Sequence, residues 1–253
     1  MILNEGGNIW PDETSNFDQK IIPDMMKQIN AVLTKTGVEA LPIGSGASPT
    51  PGKMSGDLDM IVDAGKLRDH FGVKKNPQAK AELEKLFQQA GFDTKKTGQQ
   101  VHVKTRVGDS AQQVDLMIVD DGETAHKFHV HDIPKGSPYK GVHKHIAISD
   151  LAKNKGMKWS PYKGLLDRET DTLVSNNLDE IAKELLGSSA SAKDLSSVEA
   201  IVKALGSEGE AFLQQLESDP ESMFVQKKIQ PQESLADRNH NRVIELARAL
   251  SRK

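Results

Sequence analysis

The stretch from Leu41 to Val62, LPIGSGASPTPGKMSGDLDMIV, constrains this chain more than any other. An apolar run enters a Gly-Ser pair, Gly44-Ser45. A loop rich in Gly, Pro and Ser then leads to Asp57-Leu58-Asp59-Met60 and a second apolar run. Residues two apart on a strand point to one face, so Asp57 and Asp59 stand side by side. Carboxylates so placed repel each other unless a cation sits between them. The Gly-Ser turn just before them can offer backbone N–H groups to a phosphate. A third carboxylate, Asp115, lies in an alternating strand pattern, Val114-Asp115-Leu116-Met117-Ile118-Val119. Three acidic groups for two divalent metals, beside a phosphate cradle, are the equipment for moving a nucleotidyl group.

The chain has 253 residues, enough for one large domain or two small ones. Hydrophobic residues at 36% and charged residues at 27% suit a soluble globular protein, and aromatics at 4% leave the core mostly aliphatic. The absence of Cys excludes disulfides and thiolate metal sites. A net charge of −3 excludes a uniformly basic nucleic-acid binder but not a local basic patch. No apolar run approaches a membrane span, so no membrane partner is expected. The first residues, MILNEGGNIWPDETSN, have neither a basic start nor an apolar signal region, and a cytoplasmic protein is the expectation.

Periodicity divides the chain into an irregular arm over 1–20, a catalytic unit over 21–134, a smaller unit over 135–187, and a linker with a helical extension over 188–253. Ile22, Met25, Met26, Ile29, Val32 and Leu33 predict a helix over about 21–36 closed by Gly37. Leu41–Ile43 and Leu58–Val62 predict strands flanking the glycine-rich loop. A helix is expected over about 77–90, with Pro77 in its first turn. Strands over Val101–Val107 and Gln113–Val119, joined at Gly108-Asp109-Ser110, would carry Asp115 toward Asp57 and Asp59. Residues 122–140 read as loop, 141–154 as helix, and Met157–Ser160 with Leu165–Leu173 as a hairpin. Asn177 and Glu180 predict a capped helix ending at Gly187. Residues 188–192, SSASA, read as a linker before helices at about 194–217 and 234–251.

The run apolar-Gly-Ser, spacer, Asp-apolar-Asp-apolar, then a later apolar-Asp-apolar resembles the signature of the polymerase-beta-like nucleotidyltransferases. Gly44, Ser45, Asp57, Asp59 and Asp115 fill its positions, and Ser55-Gly56 before the first Asp matches too. Leu151–Leu166, LAKNKGMKWSPYKGLL, resembles the thumb entry of family X DNA polymerases, where a helix ends in Lys-Gly, a strand follows and a Tyr comes a few residues on. The resemblance spans roughly residues 21–187. It implies an α+β fold with a mixed sheet, flanking helices, a small thumb-like unit and a helical C-terminal extension. It also implies transfer of a nucleoside monophosphate from a nucleoside triphosphate to a hydroxyl. By resemblance Ser45 and the Gly44 backbone bind the outer phosphates, with Ser55 and Gly56 assisting. The family often carries an Arg in this loop; here only Lys53 is available.

Asp57, Asp59 and Asp115 are the expected catalytic and metal-binding residues. Two magnesium ions fit a set of hard oxygens, with manganese as a substitute. Asp57 and Asp59 would hold the metal that carries the triphosphate and share the second. Asp115 would complete the second, which lowers the pKa of the attacking hydroxyl. The acceptor is open between a DNA or RNA 3′ end, a small molecule and a protein. In His143–Ser149 the chain has neither the Asn nor the Arg that family X polymerases carry there. The reading of another class is a non-catalytic nucleotide- or nucleic-acid-binding component of a larger assembly that retains the fold.

Three further features remain. His126, His129, His131, His143 and His145 make up five of the eight histidines. Their spacing admits a transition metal, a nucleotide or nucleic-acid contact, or a polar surface beside the site. From Lys135 to Arg168 there are eight Lys or Arg and two Asp, a band that reads either as a nucleic-acid track or as solvated surface. Val198, Ile201, Val202 and Leu205, then Val243, Ile244, Leu246, Ala247 and Leu250, make amphipathic C-terminal helices. These would pack on the catalytic unit or dock to a partner or a second copy.

Overall fold

A computed structural model describes residues 9–226. The helix expected over about 234–251 and the first eight residues of the arm lie outside them. In chain order the elements begin with β1 (Phe17–Asp18), α1 (Ile22–Leu33), β2 (Leu41–Pro42), β3 (Met54–Ser55), β4 (Asp57–Asp63), α2 (Ala64–Phe71) and α3 (Asn76–Gln89). They continue with β5 (Asp93–Thr97), β6 (Gln100–Val107), β7 (Ser110–Val119), α4 (Gly122–Phe128), α5 (Gly141–Asn154), β8 (Met157–Ser160) and β9 (Gly164–Asp167). The last that concern the site are β10 (Leu173–Ser175), α6 (Leu178–Leu186), α7 (Val198–Ala204) and α8 (Gly209–Glu217). The class is α+β, as expected.

The central sheet has the order β2-β4-β7-β6-β5. Only β4 and β7 run parallel; the remaining pairs are antiparallel. Alternation on β4 and β7 sorts the residues. Leu58, Met60, Val62, Val114, Leu116 and Ile118 turn to one face and are buried under α1, α2 and α3, which supply Ile22, Met25, Leu67, Leu83 and Phe87. Asp57, Asp59 and Asp115 occupy the alternate positions and so share the opposite face. Near the far end of that face, Ile43, Ile61, Val119 and Ala125 make a small apolar cap, with Met117 and Tyr162 against it.

A second core runs from Phe128 to Phe224. It joins α4, α5, the antiparallel sheet β10-β9-β8, and the helices after it. Asn177 Oδ1 accepts from the Asp179 and Glu180 N–H groups and starts α6 as the sequence predicts.

Several expectations change. The described part of the arm is irregular over 9–16 but anchored: Trp10 and Phe17 are buried, and β1 pairs with β3. Residues 122–128 form α4 rather than loop, because Asp121 caps the Thr124 N–H at 2.9 Å. The segment 188–192 is no free linker. Ala190 is buried in the second core, and Ser191 and Asp194 close a capping box. The helix expected over 194–217 breaks into α7 and α8 around Gly206, whose φ is +58°. The apolar face of Val198 and Ile201 is buried in the second core and is not offered to a partner.

Candidate active site

The parallel register of β4 and β7 sets Asp59 directly beside Asp115, and Asp57 beside Gln113. Neighbouring strands lie about 4.8 Å apart, so the three aspartates share one small patch of sheet. Burial, then the charge of Asp115, pushes Asp57 up to about 6. Burial, then the charges of Asp57 and Asp115, pushes Asp59 up to about 7. Asp57 and Asp59 therefore resist ionisation first because they are withdrawn from water and then because like charge stands beside them, the strain expected of a cluster without a counter-ion.

Asp115 is held differently. Its Oδ1 accepts from Gln113 Nε2 at 2.9 Å and meets His102 Nδ1 at 2.7 Å. His102 is buried and lies opposite Asp115 across the β6–β7 pair. Its Nε2 meets Thr97 Oγ1 at 2.6 Å. With Asp115 ionised, the ring proton sits on Nδ1 and Thr97 donates to Nε2. The Gln113 amide is oriented in turn by the Ile9 N–H, which donates to its Oε1 at 2.9 Å. These contacts fix Asp115 through Oδ1, and among the described residues Oδ2 accepts no hydrogen bond.

The loop Gly44–Gly56 leaves β2, lies against β4 and leads back into Asp57. Gly44 takes φ +56°, a left-handed conformation that other residues adopt at a cost. Gly46 is buried, and a Cβ there would lie 2.5 Å from Leu58 Cδ1, so only Gly lets the loop lie against β4. The loop folds so that Ser55 Oγ stands 3.1 Å from Ser45 Oγ. Gly56 is half-buried between them and Asp57. The Lys53 side chain is exposed, and what the loop uses of Lys53 is its backbone carbonyl, which accepts from the Gln19 N–H at 2.9 Å. Thus Asp57, Asp59, Asp115, Gly44, Ser45, Ser55 and Gly56 come together, while Lys53 points its charge into solvent.

Among the described residues no three His, Cys, Asp or Glu side chains already stand so as to hold a metal ion. The aspartates nonetheless fit a hard divalent cation by chemistry. They are crowded, mutually repelling oxygen donors, and among the described residues one oxygen of Asp115 has no protein donor.

The other sequence features resolve unevenly. His129 and His145 have ring centroids 4.9 Å apart, and His131 and His145 5.7 Å. His145 Nδ1 accepts from Trp159 Nε1 at 3.2 Å. Burial, then the charge of Lys144, pushes His131 down to about 3 and His145 to about 2, so these rings are neutral packing groups. His126 instead meets the Pro42 carbonyl at 3.1 Å, outside that group.

The basic band is thinner than the sequence promises. Lys144 is buried and donates to the Phe128 and Val130 carbonyls at 2.6 and 2.8 Å. Lys158 pairs with Asp171 at 2.9 Å, Arg168 donates to the Met157 carbonyl at 3.0 Å, and Lys155 donates to the Glu184 carbonyl. Lys135, Lys153 and Lys163 remain exposed, and Lys155, Lys158 and Arg168 are exposed as well despite these contacts. Trp159 is buried as a core anchor against Phe128 and does not serve as an open stacking platform.

Sequence reasoning missed His102, Gln113 and Gln19. The signal for His102 was present. A two-residue turn at Gly108-Asp109 pairs Val107 with Ser110, and counting back from there sets His102 opposite Asp115.

No protein-family model matches the chain, and no curated protein matches it. Among solved structures it is similar to Leishmania infantum polymerase beta in a ternary gap complex, at 13% identity over 84% of this chain and 71% of that one, with a TM-score of 0.45. The ternary P/T complex of the same polymerase aligns at 13% identity over 86% and 77% of the two chains, with a TM-score of 0.44. At this similarity the likeness assigns no family, and the functional reading rests on the chain's own side chains. No helix among the described residues is long and apolar enough to cross a membrane.

Proposed function

We propose that the chain is a metal-dependent nucleotidyltransferase. The observation that carries the reading is the pairing of Asp59 with Asp115 in the parallel register of β4 and β7, with Asp57 on the same face. Crowding half-buried Asp57 and Asp59 against buried Asp115 is costly unless a cation compensates them. Asp57, Asp59 and Asp115 would hold magnesium, closing on it as it binds. When bound, the metal would lower the pKa of an attacking hydroxyl and offset charge on the leaving oxygen. In the reaction the acceptor oxygen forms a bond to the α-phosphorus and the α–β bridging bond breaks. Pyrophosphate leaves and the hydroxyl proton passes to solvent.

The chain's own groups contribute position. Ser45 and Ser55 offer hydroxyls, and the Gly44–Gly46 backbone offers N–H groups, to the outer phosphates. His102 and Gln113 hold Asp115 in one orientation, leaving its Oδ2 for the cation. The unit over 21–134 would be the catalytic, palm-like part, and 135–187 the thumb-like part. A nucleic-acid 3′ end is the favoured acceptor, approached by way of the exposed Lys153 and Lys163.

The test is release of pyrophosphate from each nucleoside triphosphate with Mg²⁺, against single-stranded and primed DNA and RNA and a panel of small hydroxyl acceptors. Pyrophosphate release that stops in Asp115→Asn supports the reading. Triphosphate binding with no turnover on any acceptor favours the second reading, a non-catalytic nucleotide-binding component. That reading has one observation behind it, the lack of a metal-holding group already drawn together among the described residues.

A further inference from the structure

The N-terminal arm grips the phosphate loop through a residue outside the acidic motif. Gln19 is 1% exposed. Its Oε1 accepts from the Thr50 N–H at 2.8 Å, and its Nε2 donates to Ser55 Oγ at 2.9 Å. Ser55 Oγ donates to Ser45 Oγ at 3.1 Å. Around this chain of bonds the arm is pinned to the loop by its backbone as well. Phe17 and Asp18 pair with Ser55 and Met54, and the Gly52 N–H donates to Asp18 Oδ1 at 3.0 Å.

The direction of these bonds is forced. A backbone N–H can only donate, so Thr50 fixes the Gln19 oxygen toward itself and turns the amide nitrogen to Ser55. An amide nitrogen can only donate, so Ser55 Oγ receives that bond and its single proton goes elsewhere. Among the described residues the acceptor it meets is Ser45 Oγ. Ser45 Oγ then receives, and its own proton finds no acceptor among the described residues. With Ser55 Oγ donating to Ser45 Oγ, the Ser45 proton is left to be given to a ligand.

We infer that Gln19 is a positioning residue that holds Ser55 Oγ toward Ser45 Oγ and so leaves the Ser45 hydroxyl proton for an acceptor-only anion. The inference rests on the reading of Gly44–Gly56 as a triphosphate cradle. A triphosphate oxygen has lone pairs and no proton near neutrality, so it matches this donor. A ligand group that must donate does not. Hydrogen bonds to charged groups are the stronger kind, so losing this alignment weakens binding by about tenfold or more.

The experiment measures binding of inorganic tripolyphosphate with Mg²⁺ to the full chain, which separates phosphate recognition from base preference. Gln19→Glu keeps the shape and the acceptor for Thr50 but replaces the donor with a second acceptor, so the Ser55 proton turns back to residue 19. Gln19→Met removes the donor without adding charge. Both variants are expected to bind at least about tenfold more weakly. In a Ser45→Ala background Gln19→Met should cost almost nothing further, because the chain of bonds no longer has an end. In turnover with a nucleoside triphosphate, Gln19→Met should raise KM and leave kcat near wild type.

If Gln19→Met weakens binding equally with and without Ser45, the residue merely supports the loop and the inference is overturned. It is also overturned if Gln19→Met binds as wild type while Ser45→Ala does not. If wild type binds no tripolyphosphate, or Ser45→Ala binds as well as wild type, the phosphate-cradle reading fails first.

Discussion

Asp57 and Asp59 on the open face of the sheet, and His131, His145 and Lys144 in the second core, are all withdrawn from water, yet their charges respond in opposite senses. Desolvation drives each toward neutrality, so the acids rise to about 6 and 7 while Lys144 falls to about 7 and the two histidines to about 3 and 2. The base cluster relieves most of its strain, although His131 Nδ1 and His145 Nε2 are buried without a hydrogen-bond partner among the described residues. Neutral rings pack against Trp159 and Tyr162, and the Lys144 amine is satisfied by two carbonyls. The acid cluster has no internal remedy. Asp115 is held in place by His102 and Gln113, and its charge adds to the rise of Asp57 and Asp59. Neutral rings packed on aromatic neighbours mark a structural group, whereas crowded like charge without a counter-ion marks a place shaped for something from outside.

The largest expected effect separates the two faces of β7. Asp115→Asn should lower transfer more than a hundredfold, about 3 kcal/mol or more of transition-state stabilisation, while leaving tripolyphosphate binding and the thermal midpoint close to wild type. Steady-state rates and a melting curve on the same preparation check it. Leu116→Ala, one residue on and facing the helices, should do the reverse. It opens a cavity in a fully buried position and should cost about 2–5 kcal/mol of stability by denaturant unfolding, with turnover per folded molecule retained.

The pH dependence breaks the comparison if it is wrong. Asp57 and Asp59 have folded values above the ordinary 3.8, so between about pH 4 and 7 the folded state holds more protons than the unfolded one. Their contribution is present at the acid end and is lost as pH rises through about 6 and 7. His131 and His145 sit below the ordinary 6.5, so their contribution is present above that value and is lost as pH falls toward about 3 and 2. Unfolding profiles without metal should therefore combine opposed slopes. An Asp57→Asn, Asp59→Asn double variant should keep only the part that rises with pH, and a profile parallel to wild type would remove the buried acids from the account. Smaller still, Asp59→Asn alone should make the metal-free protein more stable at pH 8 by about 1 kcal/mol or more, since one repelling charge is gone. It should also abolish the stabilisation that Mg²⁺ gives wild type at that pH.

Much of the site's skeleton was legible in the sequence, because alternation and turn residues are local signals. The period-2 patterns of β4 and β7 and the helical periods of α1, α3 and α5 carried through to the fold. What escaped lacked an apolar code. β5, DTKKT, has no hydrophobic residue, and it exists by pairing with β6. α2 buries only Ala64 and Leu67, and its signs were the Asp63 cap and Gly72. α4 was hidden by Gly122, which lies against Asp63 where a Cβ would come within 3.1 Å of that side chain. The supports of the site, Gln19, His102 and Gln113, escaped for another reason. Gln19 and His102 act through partners farther along the chain, which the strand register reveals, and Gln113 is a polar residue two before Asp115 whose role shows only once its amide is placed.

The account stands most directly on where a cation binds. Crystals grown with Mn²⁺ and a triphosphate whose α–β bridge resists cleavage, measured for the anomalous signal of manganese, locate it. The account predicts manganese about 2.1 Å from carboxylate oxygens of Asp57 and Asp59, with Asp115 ligating a second ion within about 4 Å of the first. Triphosphate bound elsewhere, or manganese absent from all three aspartates while the triphosphate is bound, would contradict it.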